Sequence, residues 1–499
     1  RVQQVSLTIS SSRRPVWLSP KVARTEILAG LVVAIALIPE AISFSILAGV
    51  DPRVGLFASF TMAVTIAFTG GRPAMISAAT GAIALVVAPL AREYGLEYLV
   101  AAVILGGIFQ VLLAFAGVAR LMRFVPRSVM VGFVNALAIL IFSAQFQYLI
   151  DVPWVVYPMV IIGVGIIFVM PRITNAVPGP LVAVVLITLT VVLMNIDVPR
   201  VGDQGELPDS LPFLSIPSVP FTIETLMIIA PFAFAIALVG LMESLMTAKL
   251  VDDITDTHSD KTRESWGQGV ANIVTGFFGG MGGCAMIGQT MINVRSGART
   301  RLSTFLAGVF LLILVVSLGE VVAEIPMAAL VAVMIVVAYA TFDWHSMRTI
   351  LAMPKSETTV MLSTVLATLI THNLAIGVGV GVVTATVLFA RRVAHLVSMD
   401  RVLEIDPETG ADVVRYQVHG EMFFASSNDL VYLFDYTEDP DLVIIDLTQA
   451  HVWDASTVAT LDAVVSKYAR RHKSVAIVGF NEKSAEFHDR LSGTLNIGH

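Results

Sequence analysis

The chain has little charge and almost no cysteine. Only 14% of its 499 residues are charged, whereas soluble domains carry about 25%. Cys284 is the single cysteine, which excludes an intramolecular disulfide and a cysteine-rich metal site. The sequence also has no GxxxxGK[ST] segment and no histidine pair at HExxH or haem-ligand spacing. We therefore expect no nucleotide hydrolysis within this chain, no enzymatic activity, no metal and no organic cofactor.

Apolar residues make up 56% of the chain, and many of them fall in runs of membrane-crossing length. The first run is too long for the apolar part of a cleaved signal peptide, so we expect none. The pattern predicts a polytopic membrane protein with about fourteen apolar segments, of which those near 85 and 290 are short. The segments centre near residues 38, 62, 85, 109, 139, 164, 187, 235, 272, 290, 310, 333, 363 and 385.

Two glutamates follow the same short apolar sequence in the two halves of the chain. Residues 34–37 and 235–238 both read AIAL, and they precede Glu40 and Glu243. The two copies are about 200 residues apart. A match of this kind suggests an internal duplication, which is sought before other features because it changes the fold prediction.

Two glycine-broken segments repeat in the same order. Residues 70–80 read GGRPAMISAAT and residues 279–290 read GGMGGCAMIGQT, so Ala-Met-Ile leads to a Thr in both. Their offset is about 210 residues, close to that of the glutamates. Corresponding broken apolar segments in two halves are the best sequence indication of a transporter binding site.

The basic residues predict the orientation. If residues 1–26, which include Arg13 and Arg14, are cytoplasmic, then the outer loops hold only Arg53, Arg92 and Arg200. Most other basic residues then fall inside, as is usual for inner loops. We therefore predict an inner (plasma) membrane protein with a cytoplasmic N-terminal segment.

The predicted transport domain, residues 27–398, divides into two halves. Repeat one covers 27–198 and repeat two covers 224–398, with an outer loop between them. Because each half has an odd number of spans, the second copy must enter the membrane upside down. The expected fold is a helical membrane protein with fourteen spans as a seven-plus-seven inverted repeat, which is a transporter architecture.

The composition changes after the last span. Residues 401–499 carry ordinary charge, and VVRYQVHG, DLVIIDLT and SVAIVGF have the pattern of strands. Residues 455–471 have the spacing of an amphipathic helix. We predict a small α/β domain, which is cytoplasmic because it follows an even number of spans.

Glu40 and Glu243 are the acids that we place well inside spans. Intramembrane ionisable residues mark functional sites by default. We predict that one or both couple transport to protons, and Pro39 favours Glu40 because proline removes a helical N–H and opens the helix locally. The alternative is that either glutamate faces a water-filled vestibule and has no role.

The broken segments Ser77–Ala82 and Ile287–Ile292 are predicted to hold the substrate. The N-terminal ends of half-helices expose N–H groups and carry partial positive charge, which suits an anion, and no Arg or Lys lies in the spans nearby. The alternative is that these glycines only allow close helix packing. The candidate substrate-binding residues are Glu40, Phe44, Thr80, Gly81, Ala82, Gly288, Gln289 and Thr290.

With these residues in view, the chain resembles the SulP family of anion transporters, also called solute carrier family 26. Residues 28–60 look like the first signature of that family, with IPE, LAG and GLF in place. Pro126 with Val131-Gly132-Phe133, and Pro178-Gly179-Pro180, resemble its fifth and seventh spans. Residues 401–499 resemble a STAS domain. The resemblance covers nearly the whole chain.

This resemblance implies a core and a gate domain, with the substrate between the third and tenth spans and moved by the core like an elevator. It implies a small inorganic or organic anion as substrate, from the sulfate, bicarbonate, chloride, oxalate or dicarboxylate classes. It also implies a homodimer in the lipid bilayer and no nucleic-acid partner.

Six positions depart from the pattern of the family: Val54, Phe57 and Gly71 in the first signature, and Glu243, Ile287 and Gln289, which bear on the substrate and its coupling. Gln289 stands where some members have an Arg, which puts sulfate in doubt. Sodium-coupled members have an Asp in the eighth span and a Thr in the tenth, where this chain has Glu243 and Ile287. The departures favour a co-transported proton over sodium.

Asp454-Ala455-Ser456-Thr457 resembles the Asp-Ser-Ser-Gly of STAS domains that are phosphorylated. Ser456 matches the phosphorylated serine and is a possible regulatory phosphosite. The alternative is that Ser456 only caps the helix that begins there.

The sequence therefore predicts a secondary active transporter of small anions, such as carboxylates, dicarboxylates, bicarbonate or sulfate, driven by proton symport. The rival predictions are an uncoupled anion channel or an anion exchanger on the same fold, and a membrane anchor for a STAS signalling module.

Overall fold

The computed structural model describes residues 19–121, 125–174, 177–394, 397–405, 410–427 and 430–492. Residues 1–18 of the predicted cytoplasmic segment, with Arg13 and Arg14, lie outside the described residues. The chain divides into two compact units, residues 1–382 and 383–499, and each is described by itself.

A helix occupies each of the fourteen places at which the sequence predicts an apolar segment. The helices are α1 (Pro20–Ala48), α2 (Pro52–Thr69), α3 (Gly81–Tyr94), α4 (Leu96–Phe115), α5 (Arg127–Ala144), α6 (Val156–Ile173), α7 (Gly179–Leu193), α8 (Ile223–Thr255), α9 (Lys261–Phe277), α10 (Ile287–Arg295), α11 (Arg301–Ser317), α12 (Met327–Thr341), α13 (Lys355–Thr371) and α14 (Leu374–Ala394). Shorter helical turns lie at Val118–Leu121, Gln145–Leu149, Val201–Gln204, Gly319–Ala323 and Trp344–Thr349.

Several of these helices are long enough to cross a membrane. By length and composition, seven helices in the described part of the chain qualify, and α7, α11 and α12 are shorter apolar helices. The helical membrane fold predicted from the sequence is confirmed by its likeness to solved transporters reported below. The count of fourteen spans stays a prediction.

Helix ends are set by local sequence. Proline begins both α1 and α2, where its missing N–H costs nothing. Thr222 caps α8, Asp260 caps α9 and Thr300 caps α11, each accepting a hydrogen bond from a backbone N–H of the first turn. Gly49 ends α1 with φ of 79°, a conformation that glycine adopts without strain.

The two halves pack against each other in an equivalent way. Helix α1 packs on α11 and α8 packs on α4, so each contact is repeated seven helices later. The same holds for α2 with α11 and α9 with α4, and for α5 with α13 and α12 with α6. We call α1–α4 with α8–α11 the core bundle, and α5–α7 with α12–α14 the gate bundle.

Two short strands cross at the centre of the core bundle. Strands β1 (Ser77–Ala78) and β2 (Cys284–Ala285) are antiparallel, with Ser77 opposite Ala285 and Ala78 opposite Cys284. Strand β1 leads into α3 and β2 leads into α10, so the two half-helices begin on either side of the same crossing. The close approach requires glycine, because a Cβ on Gly283 would lie 2.1 Å from the Ala78 carbonyl oxygen.

The repeated Ala-Met-Ile motif occupies different places relative to the two strands of the crossing. Ala74-Met75-Ile76 precedes β1, whereas the matching Ala285-Met286-Ile287 runs from β2 into α10. Thr80 is the N-cap residue of α3, but Thr290 lies inside α10. The duplication is visible in the packing of helices rather than in this alignment of short motifs.

Buried polar side chains hold the crossing in place. The Asn272 side chain on α9 accepts from Gly283 N (2.9 Å) and donates to Gly283 O (3.1 Å) and to Gln110 Oε1 (2.9 Å). In a low-dielectric interior such satisfied groups fix one geometry. The glycine-rich segment before α10 is thus anchored by neighbouring helices.

Two buried carboxylates add to the acids that the sequence placed inside spans. Glu26 on α1 and Glu264 on α9 are at most 1% exposed. Glu264 accepts from the backbone N–H groups of Gly71 (2.8 Å) and Arg72 (3.0 Å). Glu26 and Glu264 both lie near the starts of their helices, where backbone N–H groups can satisfy a buried carboxylate, so the prediction that Glu40 and Glu243 are the acids well inside spans stays a prediction.

The second unit is a mixed sheet with two longer helices. The strands are β3 (Ser398–Ile405), β4 (Asp412–Met422), β5 (Leu442–Val452) and β6 (Ser474–Val478), in that spatial order. The β3–β4 pair is antiparallel and the other two pairs are parallel. The helices are α15 (Ala455–Ala469) and α16 (Glu482–Leu491), with short turns at Phe424–Ser427 and Leu430–Tyr432.

A buried carboxylate organises the core of this unit. Asp439 accepts from the hydroxyl groups of Tyr416 (2.7 Å) and Tyr468 (2.5 Å) and from the Arg401 guanidinium. Burial, followed by the hydrogen bond to Asp439, raises the pKa of the Tyr468 hydroxyl above its usual range. Both tyrosines are almost fully buried, so β4 and α15 meet at this point.

Candidate functional site

A cavity of about 340 Å³ lies between the core bundle and the gate bundle. Among the described residues, its charged lining residues are Glu40 and Glu243, and no described Arg, Lys or His belongs to the lining. The core bundle supplies Glu40, Phe44, Thr80, Gly81, Glu243, Met246, Met286, Ile287 and Gly288. The gate bundle supplies Phe133, Val134, Leu137, Ile141, Pro180, Val333, Val336, Val337, Ala340 and Thr341.

The first residues of both half-helices reach this cavity. Thr80 caps α3 by accepting from Ile83 N (3.4 Å), and Gly81 begins the helix. Met286 precedes α10 and gives it no side-chain cap. The first N–H groups of a helix have no partner within the helix, so the start of α10 offers free donors beside Ile287 and Gly288. Two positive helix ends therefore face the same space.

The two glycines at these helix starts have different surroundings. A Cβ built on Gly288 would meet no atom within 4 Å, so this position opens directly into the cavity. A Cβ on Gly81 would lie 2.9 Å from a Phe44 ring carbon and 2.9 Å from Ile141 Cδ1. The start of α3 is thus closely covered by Phe44 and the gate bundle, while the start of α10 is open.

Glu40 is partly buried on α1, beside Pro39. The Gln289 side chain, in the first turn of α10, lies near the Glu40 carboxyl. Gln289 itself is 1% exposed, and its Oε1 has no hydrogen-bond partner in the described part of the chain. Gln289 therefore stands behind the cavity wall as the neighbour of Glu40.

Glu243 is connected to the other half-helix through Cys284. The Cys284 thiol lies 2.9 Å from Glu243 Oε2 and donates to it. The Thr80 hydroxyl lies 3.1 Å from the same sulfur. A continuous contact thus runs from Glu243 on α8, through β2, to the residue that caps α3. The sequence analysis missed Cys284, since a lone cysteine gives no spacing signal.

The structure brings together most of the predicted site residues. Glu40, Phe44, Thr80, Gly81, Glu243 and Gly288 line the cavity, whereas Ala82, Gln289 and Thr290 lie behind its wall. Thr290 accepts from Ile76 N (3.0 Å) and so supports the segment before β1. Neither cavity glutamate makes an ion pair among the described residues. Anion binding by these residues stays a prediction.

The predicted phosphosite, Ser456, is exposed at the second position of α15. The cap of this helix is Asp454, whose Oδ1 accepts from Thr457 N at 3.0 Å. The alternative that Ser456 is the capping residue is therefore wrong, because a carboxylate two residues earlier takes that role. The hydroxyl of Ser456 is left at a helix N-terminus.

The helical membrane fold has two equivalent halves, and an α/β domain follows its last helix. A central cavity faces the ends of two half-helices. Together these features define an anion transporter of the inverted-repeat class. Residues 24–162 and 151–364 match the Sulfate permease family, and residues 404–492 match the STAS domain. The chain therefore belongs to the sulfate permease family; it is a transporter and not an enzyme.

Individual relatives agree with this assignment. The chain is 52% identical over 461 residues to the "Putative sulfate transporter YbaR" of Bacillus subtilis, which covers 92% of this chain and 95% of YbaR. It is 24% identical over 506 residues to the "Bicarbonate transporter BicA" of Picosynechococcus, covering 91% of this chain and 88% of BicA. The fold is that of the murine Solute Carrier 26 family member A9 anion transporter, with a TM-score of 0.81, 17% identity, and coverage of 97% of this chain and 90% of that one.

Proposed function

We propose that this transporter carries small anions together with protons across the cell (inner) membrane. One observation carries the proposal: a single cavity holds Glu40, Glu243 and the starts of α3 and α10, and no basic side chain in the described part of the chain lines it. Backbone N–H groups are the donors for the anion, and a carboxyl group beside it takes up the proton. Sodium coupling is less favoured.

The charge of the cavity favours a singly charged substrate. Each helix end supplies about +0.5 of a charge, so two ends balance about one negative charge. A doubly charged ion would remain poorly compensated unless a proton travels with it. Carboxylates and bicarbonate accept a proton near neutral pH more readily than sulfate, so we rank carboxylates, dicarboxylates and bicarbonate above sulfate.

The names of the relatives do not decide between bicarbonate and sulfate as the substrate. One relative is named a sulfate transporter and another a bicarbonate transporter. The ranking rests instead on Gln289, which is uncharged and buried behind the cavity. A side chain with a fixed positive charge at this place would have favoured a divalent anion.

The unequal walls of the cavity favour an elevator-like movement. The helix ends and both glutamates belong to the core bundle, whereas the gate side is apolar except for Thr341. An anion held here would have its polar contacts almost entirely with the core bundle. The core bundle could therefore carry the anion past the gate bundle without breaking strong contacts, because an apolar wall offers few hydrogen bonds.

Purified protein in liposomes tests the proposal. An imposed proton gradient should drive uptake of a labelled carboxylate or bicarbonate against its own gradient, and a panel of anions at acid and neutral pH should identify the substrate. Passive conductance alone would favour the anion channel, and obligatory exchange without protons would favour the exchanger. Sulfate uptake without any carboxylate or bicarbonate uptake would overturn the ranking of substrates.

The STAS domain has a supporting role in this proposal. We propose that residues 401–499 lie in the cytoplasm and that the protein is a homodimer. We also propose Ser456 as a regulatory phosphosite, because it is exposed at the start of α15. Removing residues 401–499 should lower expression or dimer stability more than transport. Complete loss of flux from a well-folded truncated protein would contradict this expectation, whereas no flux from the full-length protein would favour a membrane anchor for a signalling domain.

A further inference from the structure

A second cavity, of about 470 Å³, lies where α2 ends and α11 begins. Phe68 and Phe305 form one side of it, with ring centroids 5.8 Å apart and the rings edge to face. Phe68 is 67% exposed, so this side opens at the surface of the core bundle. Arg299 and Arg301 also line the cavity. An apolar slot therefore has two cationic side chains at one end.

The arginines at this end are held in place but keep free donors. Arg301 Nη1 donates to the Ala67 carbonyl at 3.2 Å. The neighbouring Arg263 donates to the carbonyls of Phe68 (3.0 Å) and Thr69 (3.2 Å). These are the last carbonyls of α2, which attract cations. A guanidinium has five N–H donors, so each group can bind a further oxygen.

No carboxylate in the described part of the chain lies within ion-pair distance of these arginines. Arg263, Arg299 and Arg301 make no ion pair with a described Asp or Glu. The nearby Glu26 accepts instead from the backbone N–H groups of residues 299, 300 and 303, and so already occupies the start of α11. Glu264 is likewise satisfied by backbone N–H groups and Gln268. A phosphate oxygen can therefore approach these guanidinium groups without displacing a described carboxylate from an ion pair.

We propose that this cavity binds one anionic phospholipid. Arg301, Arg263 and Arg299 bind the phosphate of the headgroup, and an acyl chain lies along Phe68 and Phe305. A free phosphate would use the guanidinium groups but would gain nothing from the apolar slot. The predicted orientation places these arginines at the cytoplasmic leaflet, where basic pockets between helices attract anionic headgroups. The inference does not depend on the transported anion or on its coupling.

Native mass spectrometry of the full chain tests the proposal. The protein is mixed in detergent with equal amounts of phosphatidylglycerol and phosphatidylcholine. The lipid molecules that stay bound after release from the detergent are counted. Wild type should retain one phosphatidylglycerol in preference. Arg301→Gln and Arg263→Gln should each lower that retention about fivefold, since a basic residue near the headgroup contributes about 1 kcal/mol. Inorganic phosphate is the second probe and should not compete.

Arg172→Gln is the matched control. Arg172 is exposed near the end of α6 and also donates to a helix carbonyl, that of Phe168, but it lies in the gate bundle and away from this cavity. It should keep wild-type lipid retention. If the glutamine variant fails to fold, Arg301→Lys is the substitute. It keeps the positive charge and should keep the preference for phosphatidylglycerol. Equal retention of both lipids by wild type, competition by inorganic phosphate, or an equal loss in Arg172→Gln would each overturn the proposal.

Discussion

Substitution of Gly288 tests whether the cavity between the two bundles is the anion site. A Cβ at this position meets nothing within 4 Å, and Gly288 lines the cavity beside the free N–H groups of α10. Gly288→Ala should therefore fold without strain, and alanine favours a helix over glycine by roughly 0.5–1 kcal/mol. Gly288→Leu places an apolar group across the start of α10.

The expected loss of binding follows from the hydrogen bonds that leucine would cover. A hydrogen bond to a charged group contributes about 1.5–3 kcal/mol. Losing one of them corresponds to about 10- to 150-fold weaker anion binding. Gly81→Ala is the contrasting variant, because its methyl group would lie 2.9 Å from both Phe44 and Ile141. Overpacking of this kind costs about 1–3 kcal/mol.

Anion binding and uptake in proteoliposomes, with thermal unfolding in detergent, separate the two effects. Gly288→Leu should unfold like wild type and bind the anion about 10- to 150-fold more weakly. Gly81→Ala should be less stable, because Ile141 belongs to the gate bundle and must shift. If Gly288→Leu binds the transported anion within twofold of wild type, the start of α10 is not the anion site and the reasoning is refuted.

Substitutions at four further positions test the carboxylates and their neighbours. Glu40→Gln or Glu243→Gln should abolish proton-driven uptake but leave exchange partly intact, and wild-type pH dependence of uptake in both variants would count against proton coupling. Cys284→Ser keeps a donor between Glu243 and Thr80 and should retain uptake, whereas Cys284→Val removes the thiol contact of both residues and should lower uptake by about 5- to 150-fold, since an unsatisfied buried polar group costs about 1–3 kcal/mol; equal uptake in the two would show that the contact is unimportant. Gln289→Arg should shift preference toward doubly charged anions in a competition assay, and unchanged selectivity would exclude α10 from the substrate site.

The positions of the membrane helices could be predicted from the sequence. Each apolar segment from residue 38 to residue 385 has its helix, because long apolar runs in lipid must satisfy their own backbone hydrogen bonds. Strands β4, β5 and β6 of the α/β unit fall on the three segments that have the pattern of strands. Strand β3 was not predicted, and its residues are almost all exposed.

The candidate site could be predicted in part. Glu40 and Glu243 stand out because charge is rare in spans, and glycines marked the two half-helices. Their register could not be read from the shared Ala-Met-Ile, because the chain enters α3 and α10 at different distances from that motif. Glu264 was missed because its partners, Gly71 and Arg72, are almost 200 residues away in sequence.

By itself, the sequence determined the class of protein, the membrane segments and the residues whose chemistry is unusual inside a membrane, since these depend on local composition and on repetition along the chain. Only the tertiary structure decided that Cys284 joins Glu243 to Thr80, that the gate side of the cavity is apolar, and that Asp454 rather than Ser456 caps α15. Hydrogen bonds and cavity walls depend on which side chains face each other after packing, and no spacing along the chain encodes those distances.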